Sequence, residues 1–268
     1  MRRTPPRTVG SLLAALLVAL SAPAAAAAHT QTAALDLALR AGGFYTASHP
    51  AAVVSATARL DRAPLGRRLL RPGETGWDVA ELQLALAWQG FPSGTIDGRF
   101  GSRLTSALTR FQRTAGLPAD GIAGGATIAA LRREPPAAPI PLVWPLLARV
   151  GDGFGPRGDG FHAGLDLPVP AGTEVIAAAP GRVTWAGRRA GGWGKLVTVA
   201  HGHGVRTMYA HLSAVDVKLG QWIAGGTVVG RVGATGDATG PHLHFEVRVG
   251  NAAIDPLRAL VPLPAGAS

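Results

Sequence analysis

The chain has 268 residues, enough for one sizeable domain and a smaller one. Its 37 glycines and 21 prolines favour a β-rich part with many turns, and the absence of cysteine excludes disulfides and thiolate metal sites. The net charge is +10, but the lysines and arginines are scattered and no aromatic residues are interleaved with them, which argues against a nucleic-acid-binding role.

Residues 1–28 have the three parts of a secretory signal peptide: a region with three arginines, an apolar core at residues 11–20 and a run of alanines up to Ala28. An exported basic protein meets an anionic cell wall or membrane surface, so we expect a secreted protein associated with the wall. The alternative is an uncleaved leader that acts as a membrane anchor, because apolar character extends from Val9 to Ala28.

Residues 29–67 are interpreted as a partial repeat or a spacer. Ala34–Leu39 matches Glu81–Leu86 at a constant offset, and a glycine followed by a phenylalanine comes after each segment. Two ordinary helices rich in alanine and leucine would give the same match, so both interpretations stay open.

Residues 68–133 are predicted to form a small all-α domain with three helices: Trp77–Gln89, Leu104–Ala115 and Ala126–Arg132. Two Asp-Gly-x-x-Gly turns, beginning at Asp97 and Asp120, precede the second and third helices, since aspartate can bond nearby backbone N–H groups and glycine accepts a positive φ. The double turn, with Arg110-Phe111-Gln112, resembles the peptidoglycan-binding domain of wall-lytic enzymes. The resemblance implies a non-catalytic module that binds peptidoglycan.

Residues 134–142 are rich in proline and are predicted to be a semi-rigid linker. Residues 143–260 then show short β-like runs between glycine turns, which predicts a mainly antiparallel β-sheet domain. The predicted strands are Glu174–Ala178, Gly181–Ala186, Lys195–Ala200, Val205–His211, Thr227–Val232 and His242–Val249. His201 and His203 are interpreted as residues of a hairpin turn and not as ligands.

Three motifs in this domain carry chemistry. His242 and His244 lie two apart on a predicted strand and should face the same way. A second motif supplies His162 and Asp166, and a third supplies His211, with a tyrosine, Tyr209, expected on the same strand face by alternation. Together they offer four histidines and one aspartate, more than the three protein ligands of a catalytic zinc, and the surplus suits proton transfer.

In their order and spacing, these motifs resemble the lysostaphin-like (LytM-type) zinc endopeptidases of peptidoglycan. The resemblance rests on His162-x-x-x-Asp166, Tyr209–Ser213 and Thr235–Val247, and Gly153–Arg157 fits it as well. A tyrosine that some members place ahead of the first ligand has no counterpart at Pro156–Phe161.

The resemblance implies a role for five residues. Zn²⁺ would be bound by His162, Asp166 and His244, and the catalytic pair would be His211 and His242, in an open groove on a small antiparallel sheet. The sequence does not divide the roles of the two catalytic histidines.

We therefore expect a secreted zinc metalloendopeptidase that hydrolyses peptide bonds in peptidoglycan. The alternatives are a non-catalytic, wall-binding activator of another peptidoglycan hydrolase and a wall-binding protein with a structural zinc. The bond that is cleaved stays open between glycine bridges and cross-links with D-amino acids, because loops such as Arg188–Gly194 would set the fit.

Overall fold

The computed structural model describes residues 64–262. The predicted leader and nearly all of the predicted repeat or spacer at residues 29–67 lie outside these described residues. Within residues 64–262, none of the helices has both the length and the apolar character needed to cross a bilayer.

Three helices come first, as predicted: α1 (Trp77–Trp88), α2 (Ser102–Thr114) and α3 (Gly125–Leu131). Each Asp-Gly turn is tied to a buried glutamine on the helix before it. The Gln83 amide donates to Asp97 at 2.9 Å, and the Gln112 amide donates to Asp120 at 2.8 Å. These bonds fix the turns while leucines and phenylalanines of α1 and α2 form the core of the unit, which we call the helical module.

Residues 143–262, which we call the β-domain, contain twelve strands in this described part of the chain. They are β1 (Gly155–Arg157), β2 (Gly160–His162), β3 (Leu165–Leu167), β4 (Glu174–Ile176), β5 (Gly181–Arg189), β6 (Gly194–Ala200), β7 (Val205–Leu212), β8 (Ala214–Val215), β9 (Trp222–Ile223), β10 (Val228–Arg231), β11 (Leu243–Val249) and β12 (Ala252–Ile254). Every paired strand is antiparallel to its partner, which confirms the predicted fold class.

The main sheet has the order β12-β11-β7-β6-β5-β9, and β3 pairs with β11 beside this path. Apolar side chains such as Val197, Tyr209 and Phe245 pack into one core. A smaller apolar cluster is formed by Leu196, Met208 and Ala210, which alternate with those core residues along the strands. The sheet therefore has a second face, and His244 pairs in register with Ala210 there.

The segment 134–142 lies along the β-domain. Ala138 and Ile140 pack against the core of this domain. The Leu142 N–H donates to the Ala259 carbonyl at 3.1 Å, and the Leu142 carbonyl accepts from the Val261 N–H at 2.8 Å. These contacts hold the proline-rich segment on the surface of the β-domain.

The helical module and the β-domain are in direct contact. The Ala253 N–H donates to the Gly90 carbonyl at 3.1 Å, and the Ile96 N–H donates to the Asp159 carbonyl at 2.7 Å. Ala252, in β12, is part of the apolar core of the helical module. The two parts are thus joined by backbone hydrogen bonds as well as by the chain.

Candidate metal centre

Three of the predicted site residues converge at the edge where β2, β3 and β11 meet. Asp166 of β3 is directly opposite His244 of β11 in the ladder, and its Oδ1 lies 2.8 Å from His244 Nδ1. His162, at the end of β2, brings its Nε2 to 3.1 Å from the same oxygen and to 3.0 Å from His244 Nδ1. Both imidazoles are buried.

The surroundings fix which nitrogen of each imidazole carries the hydrogen. Nδ1 of His162 lies 2.8 Å from the Gly153 carbonyl, which can only accept, so Nε2 of the neutral ring holds the lone pair. Nε2 of His244 lies 3.3 Å from the Glu246 carboxylate, which leaves the lone pair on Nδ1. Arg248 holds that carboxylate through a 2.8 Å hydrogen bond.

Two nitrogen lone pairs and a carboxylate oxygen therefore face one another within 3.1 Å. Such a set repels itself unless a positive charge lies among its members. Two imidazoles and one carboxylate are also a donor set that Zn²⁺ accepts in catalytic sites. The residues present thus fit a divalent metal ion, and their ligand atoms lie within 4.8 Å of one another.

The close contacts among these side chains also shift the pKa values of Asp166 and His244. A ring of His162 or His244 that carries a hydrogen on the nitrogen facing Asp166 donates to this carboxylate. Burial alone would raise the pKa of Asp166, but these hydrogen bonds outweigh it and hold that pKa far below the ordinary range. Burial opposes the charged form of His244, yet Asp166 and Glu246 raise the pKa of that histidine to about 9. The pocket therefore stabilises positive charge at Nδ1 of His244. The other oxygen of Asp166 accepts from Arg157 at 2.9 Å.

His211 and His242 lie beside these three residues. Their ring centroids are 4.8 Å apart, and the His211 ring is 5.8 Å from that of His244. Each has its Nδ1 on a backbone carbonyl, at 2.7 Å from Thr235 for His211 and 2.8 Å from Gly240 for His242. Their Nε2 atoms are therefore the basic ones. Nε2 of His242 is 3.7 Å from Asp166 Oδ1.

The prediction that Tyr209 and His211 share a strand face is wrong. Tyr209 is fully buried in the core against Phe245, and its hydroxyl accepts from the Ala178 N–H at 2.8 Å. His211 has φ +61°, a left-handed conformation that is uncommon outside glycine, and this breaks the alternation of β7. The strained residue turns its ring towards His242.

His201 and His203 occupy a hairpin turn, as predicted. His201 precedes the 3₁₀ turn Gly202–Gly204 between β6 and β7, and His203 is its middle residue, at the opposite end of these strands from His211. Nδ1 of His201 lies 2.9 Å from the Pro180 carbonyl, and its Nε2 lies 2.8 Å from the Thr207 hydroxyl.

Sequence reasoning missed the residues that orient the site. Glu246 had a signal, because it follows His244 by two positions on one strand and so shares its face. Arg157 and the Gly153 carbonyl lie in a segment that the resemblance included without giving it a role. Trp193, whose ring is 5.6 Å from His244, had no signal in the sequence.

All five predicted site residues lie in the stretch 160–256, which matches the family model described as Peptidase family M23. Residues 75–131 match the model of a peptidoglycan binding domain. The β-domain is an M23 peptidase domain. The helical module is the peptidoglycan-binding domain that precedes it. Gly153 and Arg157 lie just before the stretch that matches the M23 model.

Curated relatives match this chain over part of its length. A DD-carboxypeptidase/endopeptidase, Mpg, of Neisseria meningitidis serogroup B is 46% identical over 104 residues, which are 39% of this chain and 24% of the relative. The murein hydrolase activator NlpD of Salmonella dublin is 32% identical over 117 residues, 44% of this chain and 30% of the relative. The chain thus spans about a quarter to a third of the length of these relatives.

Among solved structures, the catalytic domain of lysostaphin from Staphylococcus simulans is 34% identical to this chain. The match covers 41% of this chain and 90% of that domain, with a TM-score of 0.40.

Proposed function

We propose that the chain is an exported zinc metalloendopeptidase that hydrolyses peptide bonds in bacterial peptidoglycan, to which its helical module binds. The observation that carries the proposal is the convergence of His162, Asp166 and His244 with their lone pairs facing inward, beside two further histidines whose basic nitrogens are free of backbone acceptors. The leader at residues 1–28 and a wall substrate agree on a location outside the cytoplasm.

In this proposal, Zn²⁺ would be held by His162 Nε2, His244 Nδ1 and Asp166 Oδ1. When bound there, the ion supplies a Lewis acid for the scissile carbonyl and lowers the pKa of water at the site. The protein's part is to keep both imidazoles in the correct tautomer and to keep Asp166 ionised. The Gly153 carbonyl and Glu246 do the first, and Arg157, which donates to the other oxygen of Asp166 at 2.9 Å, supports the second.

His211 and His242 would move the protons. Burial lowers the pKa of His211, so its ring is neutral at pH 7 and Nε2 can accept a proton from the attacking water. A peptide bond breaks only when the leaving amine is protonated, and a histidine that has taken up a proton can return it there. A protonated Nε2 can also hydrogen-bond the oxyanion, in the place of the tyrosine that this chain lacks at residues 156–161.

The second candidate is an activator of another hydrolase, and the similarity to NlpD favours it. An activator needs no ligand set and no proton-transfer pair. This chain has residues suited to both roles, and each of the four imidazoles is oriented by a hydrogen bond. We therefore favour the peptidase over the activator.

The test is the release of new amino groups from purified peptidoglycan by the full chain, followed by mass spectrometry of the fragments. We expect hydrolysis by the zinc-loaded protein, loss on chelation and recovery with Zn²⁺. His211→Ala should be slower by a factor of about 10² to 10⁴, the usual contribution of a general acid–base group. His203→Asn, in the distant turn, is the matched control and should cleave normally.

Hydrolysis that survives both chelation and His211→Ala would contradict the zinc mechanism. Failure of the zinc-loaded protein to cleave, combined with faster cleavage by a second hydrolase in its presence, would establish the activator instead. The masses of the fragments identify the bond.

A further inference from the structure

Three aromatic rings join the helical module to the M23 domain. Trp88, the last residue of α1, packs edge-on against Phe161 with ring centroids 5.3 Å apart, and its ring is 6.0 Å from that of Phe154. The two phenylalanines contact each other at 5.0 Å. All three rings are half-buried. Each ring thus presents its edge or face to the other two, which is the arrangement that aromatic side chains prefer.

Phe161 lies in the hairpin β1–β2 and Phe154 immediately precedes it, and this hairpin supports the first proposed ligand. Phe161 immediately precedes His162 in β2, and Phe154 immediately follows Gly153, whose carbonyl accepts from the His162 ring at 2.8 Å. The ladder pairs Gly155 with His162 and Pro156 with Phe161. A shift of this hairpin would therefore move the imidazole and its orienting carbonyl together.

The helical module also holds the hairpin at its tip. The Ile96 N–H donates to the Asp159 carbonyl at 2.7 Å. Farther along the interface, Gly90 lies so close to β12 that a Cβ there would be 2.2 Å from the Ala253 carbonyl oxygen. Backbone groups therefore form the contact between the helical module and the M23 domain at these two points, and the packing at Gly90 is too close to admit even a Cβ.

We propose that Trp88 is a positioning residue for the metal centre. By fixing Phe154 and Phe161, the helical module holds the hairpin β1–β2 so that the Gly153 carbonyl orients His162 towards Asp166 and His244. This inference rests on the metal site of the proposed function. It gives the module a second role besides wall binding, as a structural part of the catalytic site.

The experiment measures zinc affinity of the full chain by competition with a chromophoric chelator. Trp88→Ala should weaken zinc binding about tenfold, the lower end of the effect seen when a ligand loses its supporting partner. Trp88→Phe keeps an aromatic ring at the position and should restore most of the affinity. Trp222→Ala is the matched control, because Trp222 is 75% exposed on β9, and it should bind zinc as the wild type does.

Circular dichroism tests whether each variant is folded, and the absorption spectrum of bound Co²⁺ reports ligand geometry independently of activity. If Trp88→Ala does not fold, Phe161→Leu removes the same ring contact from the other side and should give the same loss. Affinity and spectrum unchanged in a folded Trp88→Ala or Phe161→Leu would overturn the inference and leave the metal site standing. A wild-type chain that binds no zinc would overturn both.

Discussion

Each of the four histidines at the site is oriented by an acceptor on its far side. Backbone carbonyls of Gly153, Thr235 and Gly240 orient three of the rings, and the carboxylate of Glu246 orients the fourth. Because a carbonyl or carboxylate can only accept, the opposite nitrogen of each neutral ring is basic. In all four histidines the acceptor therefore fixes the tautomer, and the basic nitrogens that result form a cluster suited to a metal ion and to proton transfer.

Glu246→Gln tests the one side-chain acceptor among the four. The change removes the negative charge beside His244 and leaves Arg248 without its ionised partner. We expect zinc affinity, measured by chelator competition, to fall by about tenfold or more. Glu174→Gln is the matched control, because that carboxylate forms an exposed ion pair with Arg231. Equal affinities in the two variants would contradict the role of Glu246.

His201 gives a prediction for pH that is independent of the metal centre. Burial lowers the pKa of His201 below 6.5, and the hydrogen bond to the Pro180 carbonyl only partly opposes this. The unfolded chain therefore takes up a proton that the folded chain resists, so stability is lost as the pH falls from 6.5 through the folded pKa.

His201→Gln should make the free energy of unfolding less dependent on pH between 7.5 and 5, as measured by urea denaturation. His203→Asn, two residues away and exposed, should retain the wild-type dependence. An unchanged slope in His201→Gln would show that this imidazole is not the group that titrates.

At the scale of elements, a strand ladder positions the proposed metal ligands, and a loop positions the proposed catalytic histidine His211. The ladder of β3, β11 and β7 places Asp166 opposite His244. The loop between β10 and β11, residues 233–241, carries the Thr235 carbonyl to His211. This loop is pressed against the start of β6, where a Cβ on Gly194 would lie 2.3 Å from the Thr235 hydroxyl.

Gly236→Ala tests this loop. Gly236 has φ +81°, and a Cβ there would lie 2.2 Å from the Gly192 carbonyl oxygen, so the loop must move and the Thr235 carbonyl must leave His211. We expect kcat to fall about tenfold or more, in line with a misplaced acid–base group, while zinc affinity is unchanged. Gly191→Ala has a similar φ, +85°, but meets only ordinary contacts at 3.8 Å or more, and it is the control. Equal kcat values for the two variants would contradict the account.

The longer strands and the short strand β4 were predictable, and the other short strands were not. β5, β6, β7, β10 and β11 carry a clear apolar pattern bounded by turn residues. Strands of two or three residues, such as β2 and β3, are too short to show a period, although they hold two of the proposed ligands. The face of His211 was mispredicted because a positive φ at one residue reverses the direction that alternation gives.

The candidate site itself could be listed from the sequence because its five side chains lie in motifs. Their orienting partners are mostly backbone carbonyls. Every residue type has a carbonyl, so the sequence does not reveal which one accepts from a histidine. Glu246 was the exception, since its spacing from His244 placed it on the same strand face. The apolar pattern and the turn residues between residues 68 and 133 predicted three helices correctly, but nothing in the pattern indicated that Trp88 would contact Phe161 of the hairpin β1–β2.

At the scale of the whole described chain, the helical module and the M23 domain share packed residues. Ala252 of β12 contributes to the core of the module, and Gly90 of the module bonds to Ala253. The segment between the two parts is itself packed on the M23 domain. Such an interface couples the stabilities of the two parts, because neither can unfold without exposing apolar surface of the other.

We therefore expect one cooperative thermal transition for the full chain. Helix loss, followed by circular dichroism, should coincide with loss of the β-sheet band in the infrared spectrum, because the α-helices lie in the module and the main sheet lies in the M23 domain. Gly90→Val should lower the shared transition temperature, because its Cβ would clash with the Ala253 backbone. Two separate transitions in the wild type would indicate that the interface contributes little to stability.

The most direct test of the account is the amount of zinc bound per chain, measured on the dialysed full-length protein by mass spectrometry of the metal. We expect about one zinc in the wild type and in Glu174→Gln, and far less in Asp166→Ala, because a catalytic zinc has three protein ligands and this change removes one of them. A wild-type chain without zinc, or an Asp166→Ala chain that retains it at the same affinity, would contradict the assignment of His162, Asp166 and His244 as the metal ligands.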